Sequence, residues 1–418
     1  MNKKIFPGFI LLISLWVLGC TKSKFGDPVI LISGTEVSPI VKFSVEDTPA
    51  EYAVTAAATH KTDQDIQVTF EFDPEAVDRY NEEHGTSYFA VPAEAVEFSS
   101  LTTQIKAGTA ASTPASVKVV STSPLVDGRT YLIPITIKSV SGGNMNVLES
   151  SRTIFLRIAR IISFAALSMN NATGPTTGSP GTRGRFNAAC IFDEAVSLPN
   201  FTLELKNLVY AFRGGDGNSN PQPIQFLVNW AGDAPNSSIG LRYGELGNPN
   251  NSLQLIGSLG GAFAYGFNPM QWYMVSITYD GSKGMMYVDG EKVAEVSGSM
   301  AMQFKWMIFG QTWGGYDTRQ YFNGRISECR VWNRVLTPAE IKINLCGADP
   351  ESDDLVAYWK LNEGSGHIFY NSAKTGSKYD MDWSKVYWDL NGDDVWDPPA
   401  NKSQYVTWTN DALNKCSQ

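Results

Sequence analysis

Trp272-Tyr273-Met274-Val275-Ser276-Ile277-Thr278-Tyr279-Asp280-Gly281 is the most informative stretch of the chain. β-Branched and aromatic residues fill it and an Asp-Gly pair ends it, so it reads as a strand closed by a turn. Met285 to Val288 then runs into Asp289-Gly290 and on to Lys292 to Val296. Asp and Gly both tolerate positive φ, so this second pair sets a two-residue hairpin. Three antiparallel strands in series are the result. Upstream, Phe201-Leu203-Leu205 and Ile224-Phe226-Val228-Trp230 alternate in the same way. Downstream, Phe322 to Leu336 reads as a strand that ends in a capping box: Thr337 caps the N–H three residues on, Pro338 fills the first helical position and Glu340 bonds back. Ile341 and Leu345 face the sandwich from that helix, and Gly347 stops it.

The N-terminal part has the same period. Val41-Phe43-Val45, Tyr52-Val54, Ile66-Val68-Phe70-Phe72, Val117-Val119, Ile133-Ile135-Ile137 and Ile154-Leu156-Ile158 read as half-buried strands of a sandwich. One helix interrupts them, with Asp73 as the expected N-cap, Pro74 at its first position and Gly85 just past its end. His84 in its last turn complements the helix dipole rather than marking chemistry. The predicted fold class is therefore all-β with few short helices.

Two family resemblances follow from these residues. W-Y-M-V-S-I-T-Y-D-G-S, then M-Y-V-D-G-E, then F-N-G-R-I-S-E-C-R-V-W-N-R-V-L-T-P-A-E-I resemble the concanavalin A-like lectin/glucanase superfamily, in its laminin-G-like bacterial branch. The resemblance implies a jelly-roll sandwich, assigned to residues 161–418. Leu355 to Gly366 also resembles that family, where such a segment usually opens the domain; here it follows the helix. Phe70-Glu71-Phe72-Asp73-Pro74, Tyr80-Asn81, His84-Gly85-Thr86, Val91-Pro92 and Tyr131 to Ile135 resemble a domain of unknown function near the N-terminus of Bacteroidetes lipoproteins, some of which continue into family-18 endo-β-N-acetylglucosaminidases. That resemblance implies an immunoglobulin-like accessory sandwich over residues 27–160.

Residues 1–19 stand apart. Two lysines precede an apolar run from Ile10 to Leu18, which is too short to span a bilayer and has the shape of a signal sequence. Val17-Leu18-Gly19-Cys20 resembles the bacterial lipobox, so Cys20 is the expected lipidation site and residues 20–26 a polar tether. Lipid anchoring in the outer membrane, at the cell surface or on the periplasmic face, is the expected localisation. The 418 residues carry a formal net charge of -9, more negative still once Lys3 and Lys4 are removed. No global basic field exists to hold a phosphate backbone, which argues against nucleic acid. Beyond Cys20, Cys190, Cys329, Cys346 and Cys416 allow three complete pairings, and their spacing does not choose among them.

Catalysis on glycans normally needs two carboxylates flanking the scissile bond. The E-x-D-x-x-E string of lectin-fold glucanases and the D-x-x-D-x-D-x-E string of family-18 enzymes are both absent, so the chain is read as a non-enzyme, with carboxylates converging from loops as the alternative. Glu328 is expected to pack at an edge or pair with an arginine. Binding suits the composition better, since 11 Trp, 17 Tyr and 21 Phe supply rings on which apolar sugar faces stack. Glycan-binding candidates are Trp230, Trp313, Tyr316, Asp317, Arg319 and Trp388, in segments rich in Gly and Asp; the competing reading of Trp313 and Tyr316 is that they cover a hydrophobic edge. Trp272, Trp332 and Trp359 are expected in the core. Asp389, Asn391 and Asp393 have the alternating oxygens of a calcium loop, although Asp394 stands where an EF-hand needs Gly. Calcium is thus the one cofactor considered, and an acidic turn is the simpler reading. Together these features predict an envelope lipoprotein that binds glycan or glycoconjugate as accessory to a polysaccharide or N-glycan utilisation system, with an outer-membrane transporter complex and a glycosidase as partners. A protein-binding adhesion or structural envelope role is the remaining alternative.

Overall fold

A computed structural model describes residues 28–45, 48–169, 188–214, 223–310, 320, 322–383 and 406–417. Within them the chain is built from β-strands, with two short α-helices, Glu75–His84 and Pro338–Ile343. Cys20 lies outside the described residues.

The first sandwich forms around Ile40–Val45, which runs parallel to the first half of the Thr153–Met169 strand. Tyr131–Ser141, Ile66–Phe72 and Thr102–Ile105 continue that sheet in antiparallel fashion. Ala50–Val54, Ala115–Val119 and Val96–Phe98 face it. Period-two alternation decides the core: Ile133, Ile135 and Ile137 point inward against Val68, Phe70 and Val117. Leu132, on the opposite face, packs with Phe155 beneath Ala76 and Val77 of the helix.

The helix end follows its glycine, but the helix start does not follow its aspartate. Gly85 takes φ 63° and sends its N–H to the Asn81 carbonyl. Asp73 makes no side-chain cap. Its carboxylate is drawn to the Arg79 guanidinium, and its carbonyl accepts the Ala76 N–H. His84 stacks on Tyr80 with ring centroids 4.0 Å apart.

The second sandwich has two layers. One sheet runs in the order Glu291–Ser297, Lys283–Val288, Trp272–Tyr279, Phe201–Val209 and Gly324–Trp332, and then reaches the second half of Thr153–Met169. Leu355–Trp359 also pairs with Gly324–Trp332, and Val406–Ser417 with Thr153–Met169. The other sheet runs Ala188–Leu198, Met302–Phe309, Gln225–Ala231, Ser238–Tyr243, Leu253–Gly257 and Phe263–Ala264. Leu203, Leu205, Val275, Ile277, Leu241, Leu255, Phe304 and Trp359 fill the space between them. The expected hairpin is present, with Asp289 at φ 49° and Gly290 at φ 80°, and Val288 opposite Glu291. The capping box is also present: Thr337 Oγ1 accepts the Glu340 N–H while the Glu340 carboxylate accepts the Thr337 N–H.

Thr153–Met169 belongs to both sandwiches, because its Phe155–Arg160 half pairs with Ile40–Val45 and its Ile161–Met169 half with Val406–Ser417. Asp127 of the first sandwich bonds Arg160 at 2.7 Å and Lys360 at 3.3 Å, and Arg129 meets Asp349 at 3.0 Å. Gly128 sits so close that a Cβ there would lie 2.2 Å from the Ala348 carbonyl carbon. Next to this junction Cys346 forms a disulfide with Cys416 and so fastens the C-terminal strand. Cys329 is a buried free thiol, and burial pushes its pKa well above the ordinary thiol value.

Trp332 and Trp359 are core residues, as expected. Trp272 is not: it is half-exposed, on the outer face of its sheet, with the Lys206 ammonium 5.7 Å from its ring.

Candidate functional site

The surface with binding chemistry is the outer face of the six-stranded sheet. Side chains alternate along each strand, so Leu241, Tyr243, Leu253 and Leu255 enter the core while Arg242 and Gln254 face out. Register then sets Phe226, Arg242, Gln254 and Phe263 side by side across four strands. Arg242 Nε donates to Gln254 Oε1 at 2.8 Å, its Nη2 donates to Glu245, and its guanidinium lies 5.5 Å from the Phe226 ring centroid. Burial holds the Arg242 pKa below the usual guanidinium value. Tyr265, two residues past Phe263 on the same face and 61% exposed, stacks on it with centroids 6.1 Å apart and planes 15° from parallel.

The next row is Ile308, Asn229, Gly240 and Ile256. Ser238 Oγ donates to Asn229 Oδ1 at 3.2 Å. A Cβ at Gly240 would lie 3.0 Å from the Ile256 side chain and 3.2 Å from the Val228 carbonyl oxygen, so the Ile256 side chain already fills that spot. The row beyond holds Ile191, Trp306 and Ala231. Trp306 is half-exposed. Lys305 Nζ donates to Asp233 Oδ2 at 2.7 Å, and the Asp233 carboxyl is held below its usual pKa first by Lys305 and then also by a hydrogen bond from Trp306. The face thus carries half-exposed or exposed rings at two corners, while Phe226, Asn229, Ile308 and Gly240 between them are buried.

Trp230 does not belong to this surface. It is 0% exposed and packs between the sheets with Leu227, Val228 and Met307. The strand carries on through Ala231, and Trp230 has the same phase as Val228, so its ring must point inward. Trp313, Tyr316, Asp317, Arg319, Trp388, Asp389, Asn391 and Asp393 lie outside the described residues. Their flanks are placed, however: the Gly310 N–H donates to the Leu227 carbonyl at 2.9 Å and the Phe226 N–H to the Gln320 carbonyl at 2.9 Å. Gly310 and Gln320, the described residues on either side of Trp313 to Arg319, are thus both bonded to the Gln225–Ala231 strand. Among the described residues no group of three or more His, Cys, Asp or Glu is placed to hold a metal ion.

A second polar cluster looks chemical but is sealed. On the outer face of the other sheet, beneath the Pro338–Ile343 helix, Arg330 donates to Glu204 at 3.1 Å, to Glu328 at 2.8 Å and to the Asn344 carbonyl at 2.8 Å. Trp332 Nε1 and Ser276 Oγ donate to Glu204, and the Tyr358 hydroxyl donates to Glu328. Glu328, at φ 52°, bulges out of its strand onto the same face as Arg330. It pairs with an arginine, but in the middle of the sheet and at 1% exposure rather than at an edge. Burial raises the Tyr358 pKa well above its ordinary value. No substrate reaches this cluster.

Trp306, Phe263 and Tyr265 were missed by sequence reasoning. Met302-Gln303-Phe304-Lys305-Trp306 alternates as if Trp306 pointed inward with Met302 and Phe304, and a slip of phase between Phe304 and Met307, both in the core, is what turns Trp306 outward.

A lectin-type sandwich carried on an immunoglobulin-like one is the class this fold and face define. Residues 217–342 match the family model of the concanavalin A-like lectin/glucanases superfamily, so the second sandwich is a concanavalin A-like domain. Residues 25–144 match the model of a family described as an N-terminal domain. A Bacteroides ovatus protein provisionally classed as carbohydrate-binding shares the fold: 22% identity, 84% of this chain and 94% of that chain covered, TM-score 0.56. A heptameric SAP-like pentraxin from Limulus polyphemus overlaps partially, at 13% identity over 46% of this chain and 85% of that chain, TM-score 0.32. No curated protein matches the chain.

Proposed function

We propose that this protein is a glycan-binding envelope lipoprotein that does not cleave its ligand. The observation that carries the reading is the set of rings on the outer sheet face, half-exposed Trp306 at one corner and half-exposed Phe263 with exposed Tyr265 at another, with the half-exposed Gln254 amide and Ser238 hydroxyl on the same face. Sugars need both: apolar C–H faces stack on rings, and hydroxyls exchange hydrogen bonds with amides. Asp233 and Glu245, two carboxylates at the edge of this face, are each engaged by a cation. A glycosidase needs its pair free to act as acid and base. Trp313 and Tyr316, between flanks held on the same strand, extend the surface in this reading. Cys20 carries the lipid anchor, the first sandwich is the spacer, and the protein serves a glycan-utilisation system alongside an outer-membrane transporter and a glycosidase.

The test is a glycan array probed with the chain from residue 21 onward, covering host N-glycans and plant polysaccharides, with product release assayed on every glycan that binds. Binding without release supports the proposal. Background signal throughout removes it, and release of product replaces it with a hydrolase or lyase.

A further inference from the structure

We infer that the Cys346–Cys416 disulfide is a redox-sensitive latch on the joint between the sandwiches: closed, it keeps the shared strand laddered through residues 161–163; opened, it turns that stretch into a hinge. The ladder places the bridge there. Along Thr153–Met169, Phe155–Arg160 pairs with Ile40–Val45, and Leu167–Met169 pairs with Gly324–Ile326 as well as with Val406–Trp408. Between those stretches Ile161, Ile162 and Ser163 pair, among the described residues, with Ser417, Cys416 and Lys415 alone. Cys416 is thus opposite Ile162, at the point where the backbone passes from one sandwich to the other.

The segment Lys415–Ser417 is weakly held by the ladder itself. Ser163 is opposite Lys415 and Ala165 opposite Asn410, so four residues, Asp411 to Asn414, face the single residue Phe164. A bulge of that size interrupts the main-chain ladder and cuts these three pairs off from the pairs before it. Asn414 adds a cost: its side chain is 0% exposed, and among the described residues neither Oδ1 nor Nδ2 has a hydrogen-bond partner. A buried amide without partners favours release, since water satisfies it. Cys346, by contrast, is well anchored. It closes the short helical turn whose Asn344 carbonyl receives Arg330 at 2.8 Å, and it precedes Gly347 and Ala348, which lie against Gly128 of the first sandwich. The opening step is thiol exchange. Cys416 is half-exposed whereas Cys346 is buried, so the thiolate of a dithiol reductant attacks Cys416 Sγ; the S–S bond breaks and Cys346 leaves as a thiolate that takes up a proton. The second thiol of the reductant then attacks the mixed disulfide, releasing Cys416 as a thiol while the reductant closes to its own disulfide. Once Lys415–Ser417 lifts, Arg160 is joined to Ala165 by backbone that has lost its partner strand. The joint then rests on Asp127 with Arg160 and Lys360, on Arg129 with Asp349 and on the Gly128–Ala348 contact.

The experiment reads hydrogen exchange by mass spectrometry, with small-angle scattering on the same samples. It compares the chain from residue 21 onward oxidised, reduced by dithiothreitol, and as Cys346→Ser with Cys416→Ser; alkylation of the two cysteines verifies opening. In the opened forms the segments holding 161–163 and 415–417 should exchange about tenfold or more faster, while 40–45 and 166–169 keep their protection. Scattering should show a larger maximum dimension once the latch is open. The reduced wild type gives the answer on its own if the double variant does not fold. Unchanged exchange at 161–163, or acceleration spread over both sandwiches, overturns the latch. Faster exchange with unchanged scattering overturns the hinge. Reduction that proceeds only with global unfolding overturns both.

Discussion

Replacing Arg330 with methionine should be among the most damaging single changes available to the second sandwich. The guanidinium is fully buried and makes three bonds, to Glu204, to Glu328 and to the Asn344 carbonyl, while its plane faces the Tyr358 ring 5.1 Å away. Methionine keeps most of the volume and removes the cation that bonds both carboxylates among the described residues. Breaking a buried ion pair from one side costs about 3–5 kcal/mol, because the remaining charge is left desolvated. For a domain of this size that lowers the unfolding midpoint by about 6–20 °C. Combining Arg330→Met with Glu204→Gln and Glu328→Gln should recover much of the loss, since each glutamine keeps an oxygen for Trp332 Nε1 or the Tyr358 hydroxyl but carries no charge. Thermal and urea unfolding of the chain from residue 21 onward read both. A single variant within about 1 kcal/mol of the parent, or a triple variant as damaged as the single, would refute the reasoning that the cluster is held by charge compensation.

Opening the Cys346–Cys416 bridge by Cys346→Ser with Cys416→Ser releases a closure of 70 residues; the loop-entropy relation gives an upper value of about 4.4 kcal/mol, measured by urea unfolding against the parent. Asp289→Asn should stabilise the hairpin at neutral pH. Burial raises the Asp289 pKa, so the wild-type stability is greatest below the ordinary carboxylate pKa and falls as pH rises through the raised value. Asparagine keeps the oxygen that accepts the Met274 N–H at 2.8 Å and tolerates positive φ, so its advantage in midpoint should grow from pH 4 to pH 7 in a thermal series. Trp230→Ala should cost about 3–5 kcal/mol through the cavity it leaves, yet the folded fraction should bind glycan as the parent does, which a titration below the midpoint checks. Cys20→Ser should shift the protein from the membrane to the soluble fraction, a result read by fractionation and immunoblot.

What the sequence made legible was mostly local. The Thr337–Glu340 capping box and the Asp289-Gly290 hairpin are encoded within a few residues, and both appear as read. The site was less legible because it depends on phase. Ile224-Phe226-Val228-Trp230 looks like one alternating face, yet the ladder shifts between Phe226 and Val228. Phe226 is thereby turned outward while Val228 and Trp230 stay in the core. A slip of one residue exchanges the faces of a strand, and no local composition announces it. Asp73 fails for a related reason: a good capping residue is captured by a charge, Arg79, that the cap preference does not consider.

The junction between the sandwiches was the least legible feature, and it has the widest consequence. A boundary near residue 160 invites the picture of a sensor swinging on a linker. Instead the backbone crosses that point inside a strand whose ladder is continuous on both sides, from Ile40–Val45 to Val406–Ser417. Bending there means breaking main-chain hydrogen bonds, parting Asp127 from Arg160 and Lys360, and working against a disulfide next to the hinge. A flexible linker would let the sheet face sample many directions; a shared strand commits it to one. The partners of that strand come from residues more than two hundred positions apart, which is why no window of sequence reveals it. If the protein is anchored through Cys20, the direction in which the second sandwich presents Trp306 and Phe263 relative to the first is set by the strand they share.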